Sequence, residues 1–160
     1  HVGQWMRKRL TGNAAARKQA MVQLAHSWYI MMFQIPLGPP AIWRFGLDKR
    51  WQDVLAKLEN LPGYRAPASQ RKDGTNGIKL YRANMLQRLW APRDRYTEVP
   101  VQVLIPDSDP FVSTALLEDT DRWVNDLTTE ALSGGHWMPL SQPKLLADRV
   151  SAFAGKHAVD

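Results

Sequence analysis

Two side chains, Asp109 and His136, have the types and settings to do chemistry. Asp109 lies in the turn Pro106-Asp107-Ser108-Asp109-Pro110, which follows the short apolar run Val101–Ile105. His136 follows Gly134-Gly135, just past a second short strand candidate, Leu127–Leu132. An acid and a histidine at successive strand ends lie on the edge where parallel sheets build sites. A carboxylate bonded to an imidazole fixes its tautomer and stabilises its cation, so such a pair can work as a general base. Tyr29 and Tyr81 sit on two separate stretches of helical character. Plain readings stand beside these. Asp109 could be a turn aspartate capping the next helix, with Asp107 as the nearest rival acid. A tyrosine on an apolar helix is usually core with its hydroxyl satisfied. His26 reads as a packed or surface residue, and His1 and His157 lie at the ends of the chain.

The elements that must position these residues are legible in the pattern. Thr11-Gly12-Asn13 reads as a turn and cap, with a helix starting near Ala14. Met21, Leu24, Trp28, Met31 and Met32 recur at helical spacing over Ala20–Phe33, so this stretch reads as one amphipathic to buried helix, stopped by Pro36, Gly38, Pro39 and Pro40. A short helix is expected over Ala41–Phe45. Another is expected over about Trp51–Leu58, with Asp48 as its candidate cap. Residues 61–77 are the most loop-like stretch, and helical patterning returns from Ile78 to Trp90, ended by Ala91-Pro92. Then come the strand at Val101–Ile105, a helix over about Ser113–Trp123, the strand near residue 128 and a last helix over about Gln142–Ala154. The strands do not alternate in polarity, which suits burial on both faces of a parallel sheet. Two strands alone do not make a stable sheet in water. The expectation is therefore a helical insertion followed by the last β–α–β–α of a larger sheet.

Composition sets the bounds. The chain has 160 residues, 44% hydrophobic and 22% charged, as a globular domain does. It has no cysteine, which removes disulfides, thiolate catalysis and Cys-type zinc sites and fits a cytoplasmic protein. No apolar run approaches the roughly 18 residues of a membrane span. The first residue is His, so the sequence reads as a fragment or processed piece. Net charge is +6 and uneven: residues 1–100 hold 17 basic against 6 acidic side chains, and residues 101–160 hold 4 against 9. The positives are scattered, so they read as a solvated helical surface rather than a nucleic-acid site.

Four motifs together resemble the C-terminal half of an epoxide hydrolase of the α/β-hydrolase superfamily. Trp28-Tyr29-Ile30-Met31-Met32-Phe33-Gln34-Ile35-Pro36 is similar to that family's first cap helix and the Phe-Gln-x-Pro segment after it. Leu80-Tyr81-Arg82-Ala83-Asn84-Met85 is similar to its Tyr-Arg-x-Asn segment at the end of the cap. Asp109-Pro110-Phe111-Val112 stands where the family has its triad acid, and Gly134-Gly135-His136-Trp137 where it has its triad histidine. The Asp-Pro-Phe-Val and His-Trp combination also looks like the hydrolase part of actinobacterial hydrolase–dehydrogenase fusions.

The resemblance implies an α/β fold, specifically the C-terminal part of the α/β-hydrolase fold: a helical cap region over 1–77, then the cap exit helix and the last two parallel strands with flanking helices over 78–160. It implies that an epoxide is hydrated to a vicinal diol through an aspartyl ester, with Asp109 as acid, His136 as base and Tyr29 and Tyr81 as donors. Trp28, Met32, Phe33 and Trp137 would line a pocket for a small hydrophobic epoxide, and Met21 and Met31 would be cap core or lining. No cofactor, metal or nucleic acid is expected, and self-association is left open. The family's His-Gly-x-Pro loop and Gly-x-Asp-x-Gly nucleophile elbow have no counterpart in this sequence, so the nucleophile is expected in a missing N-terminal half. A different nucleophile would give an esterase or haloalkane dehalogenase. Two tyrosines speak against an esterase, because acyl transfer uses backbone oxyanion donors. A non-catalytic binding fragment is the alternative from another class.

Overall fold

The computed structural model describes residues 2–158. The chain forms two compact units, His1–Arg93 and Asp94–Asp160. The expected boundary at 77/78 falls inside a helix of the first unit.

The first unit is helical: α1 (Val2–Leu10), α2 (Ala14–His26), α3 (Trp28–Phe33), α4 (Gly38–Ile42), α5 (Asp48–Leu58) and α6 (Gln70–Trp90). Asn13 caps α2 as its residue type suggests, with its side-chain oxygen accepting from the Ala16 amide at 2.9 Å. The stretch read as one helix from Ala20 to Phe33 is two, because the chain breaks at Ser27. The prolines after it do more than stop a helix. Pro39 and Pro40 occupy the first turn of α4, where a missing N–H costs nothing. A π-helical turn over Trp43–Leu47 joins α4 to α5 without interruption, so Asp48 is a helical residue and not a cap. Its carboxylate instead pairs with Arg71 at 2.7 Å, and that guanidinium is the main cause holding it below the ordinary carboxylate pKa. Helix α5 ends in a Schellman turn: Asn60 takes the left-handed conformation (φ 52°) and the Leu61 amide donates to the Ala56 carbonyl at 2.8 Å.

The loop expected over 61–77 is shorter than its composition suggests, because α6 starts at Gln70 and runs through Gly74 and Gly77. Gly74 has a packing reason. A Cβ there would lie 2.0 Å from Cε2 of Trp43, so the buried indole occupies the space a side chain would need. Helix α6 is the hub of the unit and packs against α1, α3, α4 and α5. The core is Trp5, Ala20, Trp43, Leu55 and Ile78. The face of α2 that turns inward carries Ala20 and Gln23. Met21, Trp28 and Met31 are therefore not cap core; they are 59%, 62% and 62% exposed.

The second unit holds β1 (Val101–Pro106) and β2 (Leu127–Leu132), paired in parallel from Val101↔Leu127 to Pro106↔Leu132. Both strands lie where the sequence leads one to expect them. Between them the expected helix over 113–123 is two short 3₁₀ turns, Thr114–Leu117 and Thr120–Arg122, separated where Asp119 adopts φ 69°. After β2 come α7 (Met138–Ser141) and α8 (Pro143–Lys156). Leu116, Val124, Leu132 and Met138 form the core. Among the described residues no helix is long and apolar enough to cross a membrane.

Candidate active site

The ends of β1 and β2 bring Asp109 and His136 together. Asp109 Oδ2 lies 2.8 Å from His136 Nδ1. The carboxylate side chain is 8% exposed and the imidazole 37%, so a shielded acid faces an accessible histidine. Asp109 divides its two oxygens. Oδ1 accepts from the Phe111 amide at 2.7 Å and the Val112 amide at 3.0 Å, which fixes the turn. The turn role and the acid role are thus compatible, one per oxygen. With Nδ1 engaged, Nε2 is the ring nitrogen left to take a proton.

Aromatic rings surround the histidine. Phe111 and Trp137 lie with centroids 5.0 and 4.8 Å from the imidazole, both edge-on, and 5.4 Å from each other. Trp137, expected as lining, is beside His136. Phe111 joins it there, and its only sign in the sequence is its place in the Asp-Pro-Phe-Val motif.

Asp107, the rival acid, is bonded elsewhere. Its Oδ1 accepts from the Ser108 hydroxyl at 2.8 Å and the Gly134 amide at 3.2 Å. The Ser108 hydroxyl, and then the Gly134 N–H, hold its carboxyl below the ordinary carboxylate pKa.

In the first unit, Tyr29, Phe33 and Tyr81 form a triangle of rings. The centroid separations are 5.9 Å for Tyr29–Tyr81, 5.5 Å for Tyr29–Phe33 and 5.3 Å for Phe33–Tyr81, each edge-to-face. Tyr29 and Phe33 share a face of α3 through their i,i+4 spacing, and Tyr81 meets them from α6. Arg82 ties the two helices. Its Nε donates to the Phe33 carbonyl at 2.8 Å, and a second guanidinium nitrogen donates to the Ile35 carbonyl. The arginine of the Tyr-Arg-x-Asn motif is the signal in the sequence that marks this tie. Met32 is half-buried, whereas Trp28 is exposed on the first turn of α3. Among the described residues, no group of three or more His, Asp or Glu gathers as a metal site would.

Two parallel strands, with the turns that carry Asp109 and His136 after their C-terminal ends and helices before and after, match the C-terminal part of an α/β-hydrolase fold. The structure is similar to that of an epoxide hydrolase from Bacillus megaterium in complex with an inhibitor, with a TM-score of 0.63 and 19% identity, covering 94% of this chain and 56% of that one. It is also similar to an epoxide hydrolase of the α/β-hydrolase superfamily from metagenomes of hot environments, with a TM-score of 0.57 and 18% identity, covering 96% of this chain and 55% of that one. In sequence it is similar to "Probable oxidoreductase EphD" of Mycobacterium tuberculosis and of Mycobacterium bovis, 27% identical over an alignment of 147 residues that covers 85% of this chain and 24% of theirs. The chain spans about a quarter of the length of these curated relatives. No family model matches it.

Proposed function

We propose that this chain supplies the acid, the base and two phenol donors of an epoxide hydrolase, Asp109, His136, Tyr29 and Tyr81. The acid–histidine pair alone suits any α/β-hydrolase. The observation that carries the finer reading is the edge-to-face pairing of Tyr29 with Tyr81, 5.9 Å apart, which joins two phenols from different helices in one cluster.

In this reading a carboxylate outside the sequence attacks an epoxide carbon and forms an ester as the ring C–O bond breaks. The released oxygen takes a hydrogen bond and then a proton from a tyrosine. His136 Nε2 next removes a proton from water, and the hydroxide attacks the ester carbonyl. Asp109 holds the imidazole in the tautomer that accepts at Nε2 and stabilises the cation that forms. Collapse of the tetrahedral intermediate expels the diol alkoxide, which takes the proton held by His136; the carboxylic acid left at the nucleophile gives up its proton, which restores the tyrosine, so the net change is epoxide plus water to diol. Phe33, Met32, Trp28 and Trp137 would offer apolar contact to the substrate.

The test is trapping. In a polypeptide that also carries a Gly-x-Asp-x-Gly elbow, His136→Ala is expected to form the ester and fail to release it, so mass spectrometry shows the enzyme heavier by the mass of the epoxide. Tyr29→Phe and Tyr81→Phe are expected to slow ester formation instead. An unmodified His136→Ala protein that has lost all turnover would count against the covalent route. Release of acids from simple esters, with epoxides untouched, would favour the esterase reading.

The mycobacterial relatives support a second statement about context: the chain is the hydrolase portion of a longer polypeptide with an oxidoreductase portion. Intact-mass measurement of the native protein tests it.

A further inference from the structure

The turns after β1 and β2 are joined by bonds that continue the strand ladder beyond its last pair, Pro106↔Leu132. The Asp107 amide donates to the Leu132 carbonyl at 3.0 Å, and the Ser108 amide donates to the Gly134 carbonyl at 3.0 Å. The Gly134 amide has turned out of the ladder, and the side chain of Asp107 accepts from it, through Oδ1 at 3.2 Å. The same oxygen accepts from the Ser108 hydroxyl at 2.8 Å. Gly134 itself is confined, because a Cβ there would lie 2.4 Å from Cε of the buried Met138 and 2.9 Å from Nε2 of Gln142. Gln142 Nε2 in turn donates to the Ser133 carbonyl at 2.7 Å.

The spacing gives this clamp its meaning. Asp107 is two residues before Asp109, and Gly134 is two residues before His136. A bond between Asp107 and Gly134 therefore fixes the separation of the two turns immediately upstream of both functional side chains. The 2.8 Å contact between Asp109 and His136 depends on that separation. A hydrogen bond to an ionised carboxylate is stronger than a neutral one, which suits a tie on an accessible surface.

We propose that Asp107 is a positioning residue, whose carboxylate locks the His136 turn to the Asp109 turn and so sets the tautomer and orientation of the imidazole. It acts through Gly134 and makes no contact with substrate. The proposal rests on the reading of Asp109 and His136 as an acid–base pair, and the experiment separates the two.

The measurement is the tautomer of neutral His136, read from its two ring-nitrogen shifts in long-range proton–nitrogen spectra of the whole chain, with the resonance assigned by His136→Gln. A solvated histidine side chain favours the Nε2–H form, whereas an acceptor at Asp109 enforces Nδ1–H. The expected wild-type result is Nδ1–H. Asp109→Ala is expected to lose that preference. Asp107→Ala is expected to lose it too, although Asp109 is intact, and Asp107→Asn, which keeps an acceptor oxygen, is expected to restore most of it. Ser108→Ala, which leaves the backbone ties in place, is expected to give a smaller shift in the same direction, and it serves if Asp107→Ala does not fold. An Asp109→Ala chain with an unchanged tautomer would overturn the acid–base reading. A normal response to Asp109→Ala together with no response to Asp107→Ala, or to Ser108→Ala where the former is unfolded, would overturn the clamp alone.

Discussion

At the level of single residues, the site is organised around one carboxylate that uses its two oxygens separately. Asp109 gives one oxygen to its own turn and one to His136, so two roles that compete on paper are simultaneous. Residue types and positions make this pair readable, because a Pro-Asp-Ser-Asp-Pro turn follows the short apolar run Val101–Ile105 and a Gly-Gly-His turn follows the short strand candidate Leu127–Leu132. The tie between Asp107 and Gly134 is not readable in the same way, because it depends on which way an exposed turn side chain faces. Its titration is predictable. The carboxyl of Asp107 is depressed in the folded chain, first by the Ser108 hydroxyl and then by the Gly134 amide. A depressed acid contributes stability above its unfolded pKa of about 3.9, and that contribution is lost as pH falls through the lower folded value. Ser108→Ala removes the largest cause, so the Asp107 midpoint should rise toward the ordinary carboxylate value and the chain should lose structure at a higher pH on acidification. Carboxyl-carbon NMR titration reads the first effect and circular dichroism the second. An unmoved Asp107 midpoint would show that the hydroxyl does not hold it.

Among the elements, α6 shows what local composition can and cannot announce. Its first two turns contain Asp73-Gly74-Thr75-Asn76-Gly77, which reads as loop because glycine costs about 1 kcal/mol in a helix interior. Tertiary packing overrides that cost, since Trp43 needs the space beside Gly74. The same helix therefore offers opposite outcomes at two glycines. Gly74→Ala should destabilise the first unit by about 1–3 kcal/mol through displacement of the buried indole, and Trp fluorescence should report the shift. Gly77→Ala, with nothing within 4 Å of the added Cβ, should stabilise it by up to about 1 kcal/mol. Thermal or urea unfolding of both variants checks the pair, and equal effects would refute the packing account. Arg82 is the corresponding case between elements. Arg82→Ala removes charged hydrogen bonds to the Phe33 and Ile35 carbonyls at the end of α3, a loss of about 1.5–3 kcal/mol. Near-ultraviolet circular dichroism should lose the signal of the Tyr29–Phe33–Tyr81 rings, and Arg82→Lys, which cannot span both carbonyls, should recover only part. The break at Ser27 explains why the Met and Trp pattern misleads. Helical spacing identifies a face but not which way it turns, and the inward positions of α2 are the small Ala20 and the polar Gln23.

For the whole molecule, the support of the second unit's strands is the deciding matter. The burial of β1 never exceeds intermediate along Val101–Pro106, and in β2 only Leu132 is buried. Strands that do not alternate in polarity suit sheets covered on both faces, and a two-stranded sheet is marginal in water. The solved epoxide hydrolases that the chain resembles are nearly twice as long as the part it matches, at 56% and 55% coverage. Charge divides with the units: residues 1–93 hold 16 basic against 4 acidic side chains and residues 94–160 hold 5 against 11. A hydrolase reading in which the nucleophile lies outside this sequence therefore makes a joint prediction about stability and activity. The 160-residue chain by itself should turn over no epoxide, and the amides of β1 should exchange quickly with solvent. Joined to a segment that carries the nucleophile elbow and further strands, the same amides should slow by at least about tenfold, a gain of about 1.4 kcal/mol, and epoxide turnover should appear together with that protection. Hydrogen exchange by mass spectrometry and diol formation, measured on the two proteins side by side, decide the matter. Robust hydrolysis by the 160 residues alone would place a nucleophile within them and refute the assignment of that role to an outside carboxylate. Protection without turnover would keep the fold and remove the epoxide chemistry.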